Sequence, residues 1–134
     1  MEKDFQLRGS IEDIPGTRDQ IVDFIRECGH TDRPDYNLLV AVQEALANAV
    51  VHGCRSDPTK VIRCHVKCDH AGISISVHDP GPGFDVRSLG DPTAEDALCR
   101  EHGRGIFMLR SLMDEVRFEN GGRSLEMRKM RRFA

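Results

Sequence analysis

Two runs of alternating residues in the middle of the chain constrain its fold more than any other feature. The apolar positions of these runs are Ile62, Cys64, Val66 and Cys68, followed by Ile73, Ile75 and Val77. Polar residues stand between them, so each run predicts a strand with one buried face. Because only residues 69–72 separate the runs, they are expected to pair as an antiparallel hairpin.

Helical periodicity ahead of this hairpin predicts two helices. The first has an apolar stripe that ends at Gly29, a residue type that commonly terminates helices. The second is expected to begin at a cap, either Asp32 or Asp35, and to run to about Val51. A short strand at residues 5–8 precedes both helices. The apolar faces of the helices are expected to cover the buried face of the sheet.

The second half of the chain combines an irregular segment with further regular elements. Residues 80–102 have no clear period and are expected to form a functional loop or lid. A third helix is predicted to begin at Gly103, and a second hairpin to turn at residues 120–122. This order lacks βαβ alternation and therefore predicts an α+β fold, a two-layer α/β sandwich with a largely antiparallel sheet and helices on one face. Residues 1–134 are expected to form a single domain.

Composition narrows the classes of function. The net charge is −3, and no Trp, one Tyr and six Phe leave little for stacking on bases, so we expect no nucleic-acid partner. The sequence shows no signal peptide and no membrane span, so a cytoplasmic protein is expected. A basic tail is either a solvated strand end or a docking patch for an acidic partner. Its residues are Arg128, Lys129, Arg131 and Arg132.

The cysteines give a second limit. There are five, Cys28, Cys54, Cys64, Cys68 and Cys99, and an odd number argues against a closed disulfide framework. The spacing of Cys64 and Cys68 leaves a zinc site open. The other interpretation is that the cysteines are small buried side chains in a reducing compartment.

A row of polar residues distinguishes the second helix. Glu44, Asn48 and His52 follow one another at i, i+4 spacing and should share one helix face. A solvated face would normally carry Lys, Arg and more Glu. The residues around the row are instead small and apolar: Ala41, Ala45, Ala47 and Val51. The row is therefore either a polar surface or the floor of a pocket.

Asp79 interrupts the pattern of the central hairpin. It continues the apolar register and is therefore predicted to point inward at the end of its strand. A buried carboxylate needs a partner if it is to stay charged. Gly81 and Gly83 follow, and glycines let a backbone approach a flat ligand closely. A purine amino group could supply the partner, or Asp79 could bond the amides of a tight turn.

A third candidate feature lies at the start of the last predicted helix. Gly103 and Gly105 there would expose backbone N–H groups, which attract phosphate together with the helix dipole. Arg100, His102 and Arg104 add positive charge nearby. The other interpretation is that the glycines are linkers and the charges are ordinary solvated lid residues.

These three features, in this order, resemble the GHKL (Bergerat) ATP-binding superfamily, and most closely the anti-sigma factor serine kinases of the RsbW and SpoIIAB type. The N-box of that family corresponds to residues 44–53, the G1 box to residues 79–84 and the G2 box to residues 103–106. Residues 112–116, Leu-Met-Asp-Glu-Val, are also similar to the family. The resemblance therefore covers nearly the whole chain.

The resemblance implies a site for ATP and Mg²⁺. Glu44 would be the catalytic general base, and Asn48 would coordinate the metal ion. Asp79 would accept a hydrogen bond from the adenine amino group. Gly81 and Gly83 would form the wall beside the adenine ring.

The resemblance also assigns the phosphate end of the site. Gly103 and Gly105 would wrap the phosphates beneath the lid. Some kinases of the family carry a lid arginine just ahead of these glycines, whereas Glu101 occupies about that place here. Arg100 or Arg104, on either side of it, would then contact the terminal phosphate.

The implied function is that of a serine/threonine protein kinase. Such a kinase phosphorylates a STAS-domain anti-sigma antagonist, sequesters a sigma factor or a similar regulator, and is usually a homodimer. The alternative is a nucleotide-gated protein-binding module that binds ATP without transferring phosphate. Glu44 favours the kinase because a binding module needs no general base there. Glu101, at about the place of the lid arginine in some kinases of the family, slightly favours the binding module.

Overall fold

A computed structural model of the chain describes residues 1–29, 36–81, 108–120 and 123–130. Its strands are β1 (Glu2–Arg8), β2 (Val61–Asp69), β3 (Gly72–His78), β4 (Glu115–Glu119) and β5 (Ser124–Met130). They form a five-stranded sheet in the order β1-β2-β3-β5-β4, and every neighbouring pair is antiparallel. The predicted α+β sandwich with a largely antiparallel sheet is confirmed.

Helices form the second layer. Helix α1 spans Ile14–Glu27 and follows a short 3-10 turn, and helix α2 spans Tyr36–Ala47. Gly29 has a φ of +77° and ends the first helix where the sequence predicted its stop. Residues 108–112 are helical, while the predicted cap at Asp32 or Asp35 lies outside the described residues. No helix within the described ranges is long and apolar enough to cross a membrane.

The core lies between the helices and one face of the sheet. The apolar residues that alternate along β2 and β3 are buried, as their period predicted, and most of the residues between them are exposed or half-buried. The helices contribute fully buried side chains to the same cluster. Examples from the two layers are Ile21, Ile25, Leu46, Ile62 and Ile75. Among the described residues, the helices thus pack on the face of the sheet that carries the buried side chains.

The sheet joins its two hairpins through their second strands. Strand β3 pairs with β5 rather than with β4, so β4 lies at the edge. His78 stands opposite Ser124 in this pairing. One more backbone bond, from Asp79 N–H to the carbonyl of Arg123 at 2.9 Å, extends the pairing beyond β3. The turn after β3 therefore lies beside the residues that enter β5.

The second helix differs from its prediction at its end. Helix α2 stops at Ala47, and a π-helix, Asn48–Gly53, continues it beyond the predicted end at Val51. The Cys54 N–H accordingly bonds the carbonyl of Ala49, five residues back, at 2.8 Å. Hydrophobic periodicity alone does not distinguish one wider turn at a helix end.

Candidate functional site

The carboxylate of Asp79 is the centre of the candidate site. Asp79 follows β3 directly and is 3% exposed, as its place in the apolar register predicted. Its Oδ1 accepts a hydrogen bond of 2.9 Å from the Gly81 N–H, so the turn contact considered from the sequence is present. That bond occupies one oxygen only. Within the part of the chain that the structure describes, no group donates to Oδ2.

Two glycines pack against this carboxylate. A Cβ added to Gly53 would stand 2.8 Å from Oδ1 of Asp79 and closer still to Oδ2. A Cβ added to Gly81 would collide with the carbonyl oxygen of Gly53. Contacts this close exclude any side chain, so both positions require glycine because of space rather than backbone conformation. Gly81 was predicted as a site residue, whereas Gly53 was predicted as the end of a helix and the last residue of the N-box, with no role of its own in the site.

The electrostatics of the pocket favour a ligand that donates a hydrogen bond. Burial raises the pKa of Asp79, and this effect outweighs three opposing ones. The hydrogen bond from the Gly81 N–H and Coulombic interactions with His78 and Arg123 lower it. Burial, followed by the nearby charge of Asp79, raises the pKa of the Cys54 thiol. The carboxylate is thus under-solvated, and a donor from a ligand would stabilise its charged form.

Glu44 and Asn48 stand on the helix that leads to Gly53. Both side chains are half-buried, and four residues separate Glu44, in α2, from Asn48, the first residue of the π-helix. The π-helix begins at Asn48 and ends at Gly53, which touches Asp79. One short helical segment therefore runs from Asn48, the predicted metal ligand, to Gly53, which touches Asp79, the predicted adenine contact. His52, four positions further along the π-helix, is also half-buried, and its alignment with Glu44 and Asn48 stays a prediction.

Other predicted site residues lie outside the described residues. They are Gly83, Arg100, Gly103, Arg104 and Gly105. The lid at residues 82–102 and the departure at Glu101 also lie outside them. Their roles at the phosphates therefore stay predictions.

Arg123 is a site residue that the sequence did not indicate. Its Nε donates a hydrogen bond of 3.0 Å to the carbonyl of Gly81, and its own carbonyl accepts from Asp79 N–H. It precedes β5 by one residue and lies 42 positions from Gly81. The pairing of β3 with β5 brings Arg123 to the site, and no local sequence pattern predicts that pairing.

The four cysteines that the structure describes lie in the core or beside it. Cys54, Cys64 and Cys68 are buried free thiols, and Cys28 is half-buried. Burial raises the pKa of Cys64 to about 12. Among residues 1–29, 36–81, 108–120 and 123–130, no group of three or more His, Cys, Asp or Glu side chains could hold a metal ion. Cys64 and Cys68 therefore act as small buried side chains and do not belong to a zinc site there.

Comparison with known proteins places this geometry in a family context. Residues 7–129 match the family model described as the histidine kinase-like ATPase domain. The serine-protein kinase RsbW of Bacillus licheniformis is 32% identical over 100 residues, covering 69% of this chain and 62% of that protein. The anti-sigma F factor of Geobacillus stearothermophilus is 26% identical over 134 residues, covering 96% of this chain and 91% of that protein. The match thus spans less than two thirds of the RsbW relative and nearly all of the anti-sigma F factor.

Proposed function

The chain belongs to the histidine kinase-like ATPase domain family, and from that membership we propose that it is an ATP-dependent serine/threonine protein kinase of the anti-sigma factor type. Its relatives support this reading, since they carry the names serine-protein kinase RsbW and anti-sigma F factor. The proposed ligands are ATP and Mg²⁺. The proposed setting is the cytoplasm, and the proposed assembly is a homodimer.

One observation carries the nucleotide part of the proposal. Asp79 is buried with one oxygen bonded to Gly81 and with no donor to Oδ2 within the described part of the chain. The amino group of adenine is such a donor, and it lies at the edge of a flat ring. Gly53 and Gly81 leave no side chain in the way of that ring. A hydrogen bond to a charged carboxylate stabilises a complex by about 1.5–3 kcal/mol.

Asn48 suits the metal that accompanies the phosphates. A carboxamide oxygen is a hard ligand of the type that Mg²⁺ accepts, and this ion usually keeps few protein ligands. When bound, Mg²⁺ neutralises charge on the phosphates. Gly103 and Gly105 are proposed to contact those phosphates, with Arg100 or Arg104 at the terminal one.

Glu44 is the proposed general base. It lies one helical turn before Asn48 on α2 and is half-buried. Its carboxylate would take the proton of a serine or threonine hydroxyl while that oxygen bonds to the terminal phosphorus and the bond to the ADP oxygen breaks. Phosphoryl transfer depends mostly on positioning and charge neutralisation, so this small set of residues could suffice.

The proposed phosphate acceptor is a STAS-domain anti-sigma antagonist, and the proposed second partner is a sigma factor or a similar regulator. These partners rest on the likeness to the anti-sigma proteins of known name. The chain would hold the regulator inactive and release it when the antagonist binds. Phosphorylation of the antagonist would control that binding.

A transfer assay tests the proposal. The protein is mixed with Mg²⁺, ATP labelled at the terminal phosphate and the STAS-domain protein encoded nearest to it. We expect phosphoserine or phosphothreonine on the STAS protein, loss of transfer with retained ATP binding in Glu44→Gln, and normal transfer in Glu27→Gln, an exposed control on α1. Binding of ATP without transfer by the wild type would identify the nucleotide-gated binding module instead. Absence of ATP binding would contradict both functions.

A further inference from the structure

Arg123 holds both ends of the turn that contains Asp79. Its carbonyl accepts a hydrogen bond of 2.9 Å from Asp79 N–H, and its Nε donates one of 3.0 Å to the Gly81 carbonyl. Within the same turn, Gly81 N–H donates to Oδ1 of Asp79 at 2.9 Å. Three hydrogen bonds thus define residues 79–81, and Arg123 takes part in two of them.

The two bonds of Arg123 differ in what they require. The bond through its carbonyl continues the antiparallel pairing of β3 with β5, and any residue at this position could make it. The bond through Nε needs a side chain that reaches the Gly81 carbonyl with a planar donor group, which arginine supplies. The identity of the residue therefore matters for the orientation of Gly81.

The orientation of Gly81 in turn sets the orientation of the Asp79 carboxylate. Arg123 holds the carbonyl on one side of the Gly81 α-carbon, and the N–H on the other side donates to Oδ1, so the two bonds together fix the position of Gly81 against the carboxylate. Gly53 packs on the same carboxylate and limits its rotation. In this orientation Oδ1 accepts the Gly81 N–H, and among the described residues no group donates to Oδ2.

We propose that Arg123 is a positioning residue for nucleotide recognition, which fixes the turn at residues 79–81 so that Asp79 presents Oδ2 to the amino group of adenine. The inference rests on the proposed function, because it requires adenine to bind at Asp79. It also predicts where selectivity originates. Arg123 bonds the turn that carries the adenine contact, so losing its side chain should lower the preference for an amino-bearing base.

The test compares two nucleotides that differ only in that amino group. Titration calorimetry with Mg²⁺ gives the affinities for ATP and for purine riboside 5′-triphosphate, which lacks the amino group. The wild type should prefer ATP by at least about tenfold, as expected for a hydrogen bond to a charged group. Arg123→Gln should lose most of this preference, and Arg123→Lys, which keeps the charge but not the planar fork, should lose part of it.

A control and a stability measurement separate positioning from general damage. Arg117→Gln removes the same charge from the same hairpin, where Arg117 bonds Glu126 at 3.4 Å on the exposed face, and should keep the wild-type preference. A purely structural effect would lower the melting temperature and both affinities together while leaving their ratio unchanged. If Arg123→Gln does not fold, Arg123→Lys alone decides, with a loss of at least about threefold in the ratio expected.

The outcomes distinguish this inference from the function on which it rests. A wild-type preference for ATP that persists in a folded Arg123 variant would overturn the positioning role and leave the ATP site intact. Binding of ATP by the wild type with no preference over the amino-free nucleotide would overturn the adenine contact of Asp79, and the positioning role with it. A preference that falls in Arg123→Gln and persists in Arg117→Gln would support the inference.

Discussion

The α-carbon of Gly53 lies directly against the carboxylate of Asp79, and the Gly53 carbonyl fills the space that a side chain at Gly81 would need. This contact joins the end of the π-helix to the turn after β3. Asn48 opens that π-helix and Glu44 precedes it by one turn, so the contact fixes their helix relative to Asp79. The close packing of the two glycines therefore sets the relative positions of the proposed metal ligand, the proposed general base and the proposed adenine contact.

Replacing Gly53 should disturb this packing. In Gly53→Ala the added methyl group would overlap the Asp79 carboxylate, and the turn or the helix end must shift. We expect a loss of about 1–3 kcal/mol in the free energy of unfolding, typical of overpacking, together with weaker ATP binding. Chemical denaturation and calorimetry measure both.

Gly16→Ala is the matched control for that change. Nothing lies within 4 Å of a Cβ added at Gly16, which stands in the first turn of α1. Alanine there should leave ATP binding unchanged and raise stability by up to about 1 kcal/mol, because glycine is unfavourable in helices. A Gly53→Ala protein as stable and as tightly binding as the wild type would show that the glycine contact does not matter.

Asp79→Asn should stabilise the protein without nucleotide at neutral pH. Burial raises the pKa of Asp79 above its ordinary value of 3.8, so the folded protein binds the proton more tightly than the unfolded chain does. The cost of the buried charge is therefore absent below pH 3.8 and is complete once the pH exceeds the folded pKa. We expect a melting temperature a few degrees above that of the wild type at neutral pH, and no difference in acid.

The rise in melting temperature in Asp79→Asn should depend on the burial of this carboxylate. Asp23→Asn, at a side chain that is 68% exposed on α1, removes the same charge and should give no comparable gain. A lower melting temperature in Asp79→Asn at neutral pH would mean that His78 and Arg123 already compensate the carboxylate fully.

Asn48→Ala tests the proposed metal ligand. Loss of the carboxamide should lower ATP affinity by about tenfold or more with Mg²⁺ present, since replacing groups that hold a metal costs at least this much. The difference from the wild type should vanish in EDTA, because both proteins then bind the nucleotide without metal. Asn37→Ala, at an exposed position of α2, should match the wild type in both conditions. An equal loss with and without Mg²⁺ would argue against metal contact.

Cys64 should resist alkylation in the folded protein. Burial raises its pKa to about 12, and the thiolate is the reactive form. At about pH 8, iodoacetamide should modify the half-buried Cys28 and leave Cys64 unmodified until guanidinium chloride is added. Peptide mass spectrometry resolves the two sites. Rapid labelling of Cys64 under native conditions would show that the core between β2 and the helices opens readily.

The sequence predicted those parts of the fold that depend on local patterns. Alternation from Ile62 to Val77 marks β2 and β3, and the short link between them leaves an antiparallel hairpin as the favoured pairing. The same alternation placed Asp79 on the buried face, because every second residue of a strand points to the same side and Asp79 follows Val77 by two positions. That the three boxes form one site is implied by the family resemblance rather than by any pattern, and it stays a prediction.

The features that the sequence did not predict depend on contacts between distant segments. The π-helix after Ala47 is one wider turn, and its hydrophobic pattern fits an α-helix equally well. Gly53 looked like an ordinary helix stop, because its close neighbour Asp79 lies 26 positions further along the chain. Arg123 reaches Gly81 only because β5 inserts next to β3.

The central claim is that Asp79 binds the adenine of ATP. Titration of the wild type and Asp79→Ala with Mg-ATP by calorimetry, with circular dichroism to verify folding, tests it most directly. We expect the wild type to bind one ATP per chain and a folded Asp79→Ala to bind at least about tenfold more weakly, since it lacks the charged acceptor. Unchanged affinity in a folded Asp79→Ala protein, or no binding of ATP by the wild type, would contradict the claim.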